Sequence, residues 1–475
     1  VLAWWPPVMV LAPAALLLVH TLFVFLTLVN TTIPPGLVFV GSFFSLVAVG
    51  TALLMLPAAT PGDQPISLID AAFTITSAIS QTGLIVRDTG TGFTRFGQIV
   101  ILAWIQIGAL GVIVFGALLA TVIGSNFSLR ATQSLVEPTE QGWSGALSLR
   151  KLVVFIIVVT HAFEVAGAAV IYFAWPETWQ GAPDIAGAGD RLFHSVFFSV
   201  SAFCNAGFVT TANSLEGLRG HWSSHLVIAP LIILGSIGFP VLDNLWRVGW
   251  ARLRGRRVHR GGLIRLNLNT KIVLTTTLLL YLIGYGLIFL GEMTQTAEPT
   301  SLILLDAHFM TVNRTSGFNT IDPEDMGLLS RLALIPLRFI GGSPGSVAGG
   351  IKIMVFAVLA LTVWSTIIGR SETQAFGRTL PDALVRKSAT LLVLSLVMVL
   401  VVTGVLAVTE SGEDRFGLEA LLFDATSAVG CVGYSMGVAS ETGPVSRVTL
   451  TVAMFVGRVG PLAVLAALVG VTLRK

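Results

Sequence analysis

Four short loops in this 475-residue chain carry the same chemical possibility. They read Gln81-Thr82-Gly83, Asn205-Ala206-Gly207, Thr315-Ser316-Gly317 and Cys431-Val432-Gly433, and each lies between apolar segments. Their glycines stand 124, 110 and 116 residues apart. Backbone carbonyl oxygens can replace the water shell of a small cation. Aiming several of them at one centre needs backbone angles that a side chain obstructs and glycine permits. The candidate ligands are therefore the carbonyls of Thr82, Gly83, Ala206, Gly207, Ser316, Gly317, Val432 and Gly433, with Gln81, Asn205, Thr315 and Cys431 next in line. One glycine turn is ordinary; four at one repeat position suggest a single centre assembled from four loops.

Composition dictates where such loops can sit. Of all residues 54% are hydrophobic and 11% charged, against roughly a quarter charged in soluble domains. The chain therefore reads as an all-α integral membrane protein. About 20 apolar residues span a bilayer. Leu37–Leu56, Phe93–Ile123, Lys151–Trp175, Ser224–Trp246, Lys271–Leu290, Leu328–Ile367, Lys387–Val408 and Val448–Leu473 supply such runs. Between them Ser67–Ile79, Asp190–Phe203, Ser301–Val312 and Leu418–Ala428 are short, helix-compatible stretches, each leading into one loop. The order helix, pore helix, filter-like loop, helix thus recurs over residues 34–125, 150–250, 268–369 and 385–475. This predicts four tandem repeats in pseudo-fourfold symmetry. Val8–Val29 is a further apolar run, read as an extra N-terminal transmembrane helix over residues 1–33 rather than an uncleaved signal, since no basic residue precedes it.

Lysine and arginine near the span ends set the orientation. Arg247, Arg252, Arg254, Arg256, Arg257, Arg260, Arg265 and Lys271 join the second and third repeats, and 17 of the 28 basic residues fall on that side. Most carboxylates lie opposite, among them Asp88, Glu298, Asp322, Glu324 and Asp325. The basic side reads as cytoplasmic, so the loops open outward beneath an acidic mouth that concentrates cations. Residues 247–260 suit either a topology determinant or a binder of anionic membrane lipid. Cys204 and Cys431 read as small lining groups, with no disulfide inferred.

Several residues at membrane depth call for explanation. Gly341–Gly350 holds five glycines and a proline. Proline lacks the amide donor and glycine disfavours helix, so this is a break, tolerable only where protein buries it or beside a cavity. Arg458, midway along the last run, must face the bundle interior, because an arginine there costs about 2.5–3.5 kcal/mol on insertion scales. Lys352 is expected to snorkel toward the cytoplasm. Arg338 is read as structural or adjacent to the break, and Glu164 with His161, one turn apart, as a packed hydrogen-bonded pair.

Cys431-Val432-Gly433-Tyr434 is close to the Thr-Val-Gly-Tyr-Gly filter loop of potassium channels. Ser80–Gly90, Arg314–Asp322, Gly341–Lys352 and Gly457–Leu462 extend the likeness. With them the chain, from about residue 35 onward, resembles the Trk/Ktr/HKT superfamily of potassium transporters, nearest the bacterial KtrB/TrkH membrane subunits. The resemblance implies potassium as the transported ion and a four-glycine selectivity filter. It implies a gating loop at Gly345, Ser346, Gly349, Gly350 and Lys352, and a positive constriction at Arg458. Glycine rather than serine at position 83 implies potassium over sodium, while the unequal loops predict weaker selectivity than a symmetric channel. The resemblance further implies a homodimer, a bacterial inner-membrane location and a cytosolic nucleotide-binding RCK-type regulatory ring, for whose docking residues 247–260 are equally suited as a second reading. The single extra N-terminal helix departs from both the plain KtrB plan and the added pair of TrkH.

No enzyme signature stands out: HExxH and GxxxxGK[ST] are both lacking. Nucleic acid is not an expected partner, because basic residues are not interleaved with aromatics on any soluble fold. Alternatives are a sodium or unselective monovalent cation pathway, and a scaffold or receptor that keeps the repeats without conducting.

Overall fold

Among the described residues, helices make up nearly all the regular structure. The computed structural model describes residues 35–62, 64–124, 149–176, 187–211, 213–255, 265–410 and 415–460. The expected extra N-terminal helix and the end of the last repeat lie outside these residues. First come α1 (Pro35–Leu54), α2 (Leu68–Ser80) and α3 (Arg95–Gly124). The second group is α4 (Leu149–Phe173), α5 (Ala188–Phe203), a π-turn at Ser224–Ile228, α6 (Ala229–Ile237) and α7 (Phe239–Leu253). The third is α8 (Leu268–Gln295), α9 (Thr300–Val312) with a 3₁₀ turn at Asn313–Thr315, α10 (Leu328–Phe339) and α11 (Ile353–Ile367). The fourth is α12 (Asp382–Thr409), α13 (Leu418–Gly430), α14 (Val438–Glu441) and α15 (Pro444–Val459). A two-residue antiparallel ribbon, Gln374–Ala375 with Arg378–Thr379, qualifies the all-α expectation.

Local chemistry accounts for the helix ends. Ser67 caps α2, its side chain accepting from the Asp70 amide at 3.1 Å. Asn267 caps α8 in the same way, through the Thr270 amide at 2.7 Å. Among the described residues Val154–Phe173, Leu268–Gln295 and Asp382–Thr409 are long and apolar enough to cross a membrane. Val40–Leu54, Arg95–Gly111 and Ile353–Ile367 are shorter apolar helices. The expected single span Ser224–Trp246 is corrected: the chain bends by 101° between Ile237 and Phe239. Gly238 there adopts φ 90°, a glycine-favouring angle, and Pro240 cannot continue the amide ladder. The break expected within Leu328–Ile367 separates α10 from α11.

The short helices pack in a closed order. The helix α2 lies against α15, α13 against α10, α9 against α6, and α5 against α3. Each thus rests on the helical group that precedes it round a circle. Each also buries phenylalanine completely: Phe73 in α2, Phe197, Phe198 and Phe203 in α5, Phe309 in α9 and Phe423 in α13. Small residues let three of them approach the following helix closely. A side chain at Gly108, Gly235 or Gly457 would collide with the carbonyl of Ile79, Phe203 or Val429 respectively.

Candidate functional site

The four loops meet. Gly83, Gly207, Gly317 and Gly433 have φ of 88°, 72°, 78° and 100°, angles open to glycine and unfavourable for other residues. A Cβ at Gly83 would strike the Ala206 carbonyl, one at Gly207 that of Ser316, one at Gly317 that of Val432, and one at Gly433 that of Thr82. The contacts close a ring in the order 83, 207, 317, 433. The residues whose carbonyls form it, Thr82, Ala206, Ser316 and Val432, are all fully buried. Among the described residues none of these four oxygens accepts a hydrogen bond. Buried carbonyls ordinarily have partners, so four unpaired ones round one ring form an arrangement suited to a cation stripped of water.

The residues two before each glycine turn their side chains away from the ring and tie the loops to the next helix. Gln81 donates to the Ile105 carbonyl at 2.7 Å, Asn205 to that of Ile232 at 3.1 Å and Cys431 to that of Met454 at 3.4 Å. All three sit in the left-handed region that ends their short helices. The third loop differs. Thr315 donates instead to Asn205 Oδ1 of the neighbouring loop at 2.8 Å. The outward tie falls to buried Arg314, which donates to the carbonyls of Leu337, at 3.2 Å, and Ile340. Ser77 and Ser427, six residues before their glycines, accept from the Gly83 and Gly433 amides at 3.1 and 3.0 Å. Gly108 is legible as a packing glycine of its glycine-rich apolar segment, whereas sequence reasoning missed Arg314 and the packing glycines Gly235 and Gly457. Their near-constant distance after the loop glycines was the available signal.

The Gly341–Lys352 break lies against the ring's supports. Gly349 faces the Cys431 side chain and Gly350 the Gly430 carbonyl. Gly345 and Gly350 have φ of 70° and 73°. Ser346 is buried, and among the described residues its hydroxyl has no hydrogen-bond partner. Arg458 donates to the Val347 carbonyl and, at 3.3 Å, to that of Gly108. Lys352 does not snorkel away. Its Nζ turns back onto the Ala348 carbonyl at 2.7 Å, because an ammonium finds acceptors in a break that leaves carbonyls free.

Two further expectations are corrected or sharpened. Glu164 and His161 do not pair: Glu164 accepts from Gln106 at 3.0 Å and from the Cys204 thiol at 3.5 Å. His161 instead contacts the Ile157 carbonyl at 2.9 Å. One turn separates the two on α4, but they point to different surroundings, since His161 is exposed and Glu164 buried. Arg338 is fully buried and holds α10 to α13, with its guanidinium 3.3 Å from the Phe423 ring centre and Nη2 on the Phe423 carbonyl at 3.2 Å.

Beyond the ring, outer loops carry carboxylates. Asn319 joins two of them, its amide nitrogen donating to Ser214 at 3.0 Å and its side chain to Glu216 at 3.2 Å. Burial, then nearby Asp322 and Asp325, push the Glu216 carboxyl above the usual carboxylate range. Burial, then Asp322, Glu441 and Asp325, do the same to Glu324.

A helical membrane protein with loop carbonyls gathered at one centre belongs to the class that passes ions. The chain is a member of the TrkH family of cation transport proteins, whose family model matches residues 36–470. It is 34% identical over 438 residues to the Ktr system potassium uptake protein B of Bacillus subtilis, covering 90% of this chain and 91% of that protein. It is 30% identical over 446 residues to the potassium/sodium uptake protein NtpJ of Enterococcus hirae, covering 93% of this chain and 94% of that protein. The crystal structure of the potassium transporter TrkH from Vibrio parahaemolyticus superposes with a TM-score of 0.70 at 18% identity, over 92% of this chain and 85% of that one.

Proposed function

We propose that this chain is the ion-translocating pore subunit of a potassium uptake system in a bacterial plasma membrane. The observation that carries the reading is the ring of four carbonyls, from Thr82, Ala206, Ser316 and Val432, which accept no hydrogen bond among the described residues and are closed in by four glycines. On this reading four helix–pore helix–loop–helix repeats surround one axis in pseudo-fourfold symmetry. The carbonyls of Thr82, Gly83, Ala206, Gly207, Ser316, Gly317, Val432 and Gly433 coordinate the ion in transit. Gly345, Ser346, Gly349 and Gly350 form a movable gate, and Arg458 with Lys352 place positive charge beside it. Gln81, Asn205 and Cys431 serve as struts that hold the carbonyl geometry. Potassium is favoured by the name of the Bacillus subtilis relative and by glycine at position 83. A homodimer and a cytosolic nucleotide-binding RCK-type ring follow from the family resemblance.

A second reading is passage of both potassium and sodium. It is supported by the third loop, whose Thr315 ties to the neighbouring loop instead of the next helix, and by the printed name of the Enterococcus hirae relative. Uptake of rubidium, sodium and N-methylglucamine into proteoliposomes tests both. Rubidium uptake that exceeds sodium uptake is the expected result. Equal rates favour the second reading, and no uptake of any cation by folded protein overturns both.

A further inference from the structure

The bend at Gly238 is tied to the glycine-rich break. The Phe239 amide donates to the Gly345 carbonyl at 3.0 Å, the Ser343 amide to Ser236 at 2.9 Å and the Val347 amide to Gly235 at 3.3 Å. Gly345 lies under the Pro240 ring, where a Cβ would stand 2.9 Å from Cδ. The helix that leaves the bend, α7, therefore meets the break at its first turn.

Its far end has a different character. Val241, Val248 and Ala251 are buried, whereas Trp246 is 67% exposed and Leu253 83%. The Trp246 and Trp250 rings stack with centroids 5.8 Å apart, and the Arg254 guanidinium lies 4.3 Å from the Trp250 centroid. Arg247 pairs with Asp243 at 2.8 Å. Three arginines against one aspartate over Phe239–Arg254 leave this helix basic. Paired indoles beside arginines, on a helix turned 101° from the preceding one, are the chemistry of a helix lying in a headgroup layer. Indoles favour the membrane–water interface, and arginines there attract anionic lipid.

We propose that α7 is a membrane-surface helix that binds anionic phospholipid headgroups, and that this binding is transmitted through the Gly238 bend to Ser343–Val347. The transmission rests on the gate reading given above; the lipid binding does not. A phospholipid layer fits better than a protein partner, because the indole pair, Leu253, Arg247 and Arg254 lie on one exposed side of the helix, away from buried Val241 and Val248, and so join apolar bulk to positive charge.

The test uses the full chain in vesicles of phosphatidylcholine with increasing phosphatidylglycerol. Brominated phosphatidylglycerol should quench tryptophan fluorescence more than brominated phosphatidylcholine does. That excess should vanish in the Trp246→Phe/Trp250→Phe variant. Replacing arginines at 247, 252 and 254 by glutamine should weaken the phosphatidylglycerol dependence about fivefold per residue removed. Rubidium uptake should change with phosphatidylglycerol in the parent and not in the triple-glutamine variant. Equal quenching by both lipids, or an excess that survives the double phenylalanine change, overturns the lipid site and leaves the surface to a protein partner. Selective quenching with uptake indifferent to phosphatidylglycerol overturns the transmission. Selective quenching with no uptake in any vesicle supports the lipid site and overturns the permeation reading on which the transmission rests.

Discussion

Arg458 donates a hydrogen bond to the carbonyl of Val347, seating a buried guanidinium against the middle of the glycine-rich break. Its second nitrogen reaches Gly108 in α3. One side chain thus links the last helix, the break and the first helical group. Among the described residues no carboxylate lies within ion-pair distance of it. Carbonyl dipoles hold the guanidinium without cancelling its charge.

Arg458→Ala is therefore expected to raise cation flux severalfold and leave the potassium-to-sodium ratio nearly unchanged. A unit charge beside the path opposes a passing cation, and about 1 kcal/mol of such opposition slows passage severalfold. That barrier is alike for both ions. Arg458→Lys should retain most of it. Flux per folded protein, measured beside purified yield, decides the matter; unchanged or lower flux from a well-folded alanine variant would rule out the electrostatic barrier.

Gly83→Ser is expected to lower the preference for potassium over sodium. A side chain there is strained by the φ of 88° and presses on the Ala206 carbonyl. Two of the four ring positions are disturbed at once. Competition of sodium against rubidium uptake is the measurement, and a ratio equal to the parent's would count against the ring as the selective element.

Arg314→Gln should destabilise the protein by about 1–3 kcal/mol, the range for leaving buried partners of a hydrogen bond unsatisfied. It should also relax ion preference, since Arg314 is the third loop's tie to α10 and the break. Thermal unfolding in detergent reads the first effect and competitive uptake the second. A shift in stability with wild-type ion preference would make Arg314 a packing residue alone.

Acidification should reduce uptake at subsaturating cation before ordinary carboxylates titrate. Glu216 and Glu324 hold protons more readily than free carboxylates, so falling pH removes their negative charge first and weakens the attraction of cations to the mouth. Glu216→Gln/Glu324→Gln should start lower at neutral pH and vary less with pH, both differences shrinking at high salt. A double variant with the parent's pH profile would contradict this account.

Much of this protein is legible in its residues because the relevant signals are local. The membrane class follows from apolar runs such as Lys387–Val408, and the break at Gly341–Gly350 from glycine and proline. The loop glycines follow from their recurrence. Tertiary structure decided the rest. Loops more than a hundred residues apart have no local means of declaring which carbonyl lies beside which glycine, so the order 83, 207, 317, 433 emerges only from packing. Gln81, Asn205 and Cys431 stand beside ring residues in sequence, yet their side chains bond to the following helices, because the left-handed turn at each points them outward. Ser224–Trp246 is apolar enough to predict one straight span. The positive φ of Gly238 and the amide-to-carbonyl bonds between Ser236–Phe239 and Ser343–Gly345 turn it aside. Hydropathy measures a segment's company with lipid or water, whereas backbone hydrogen bonds between distant segments exist only once the chain has folded.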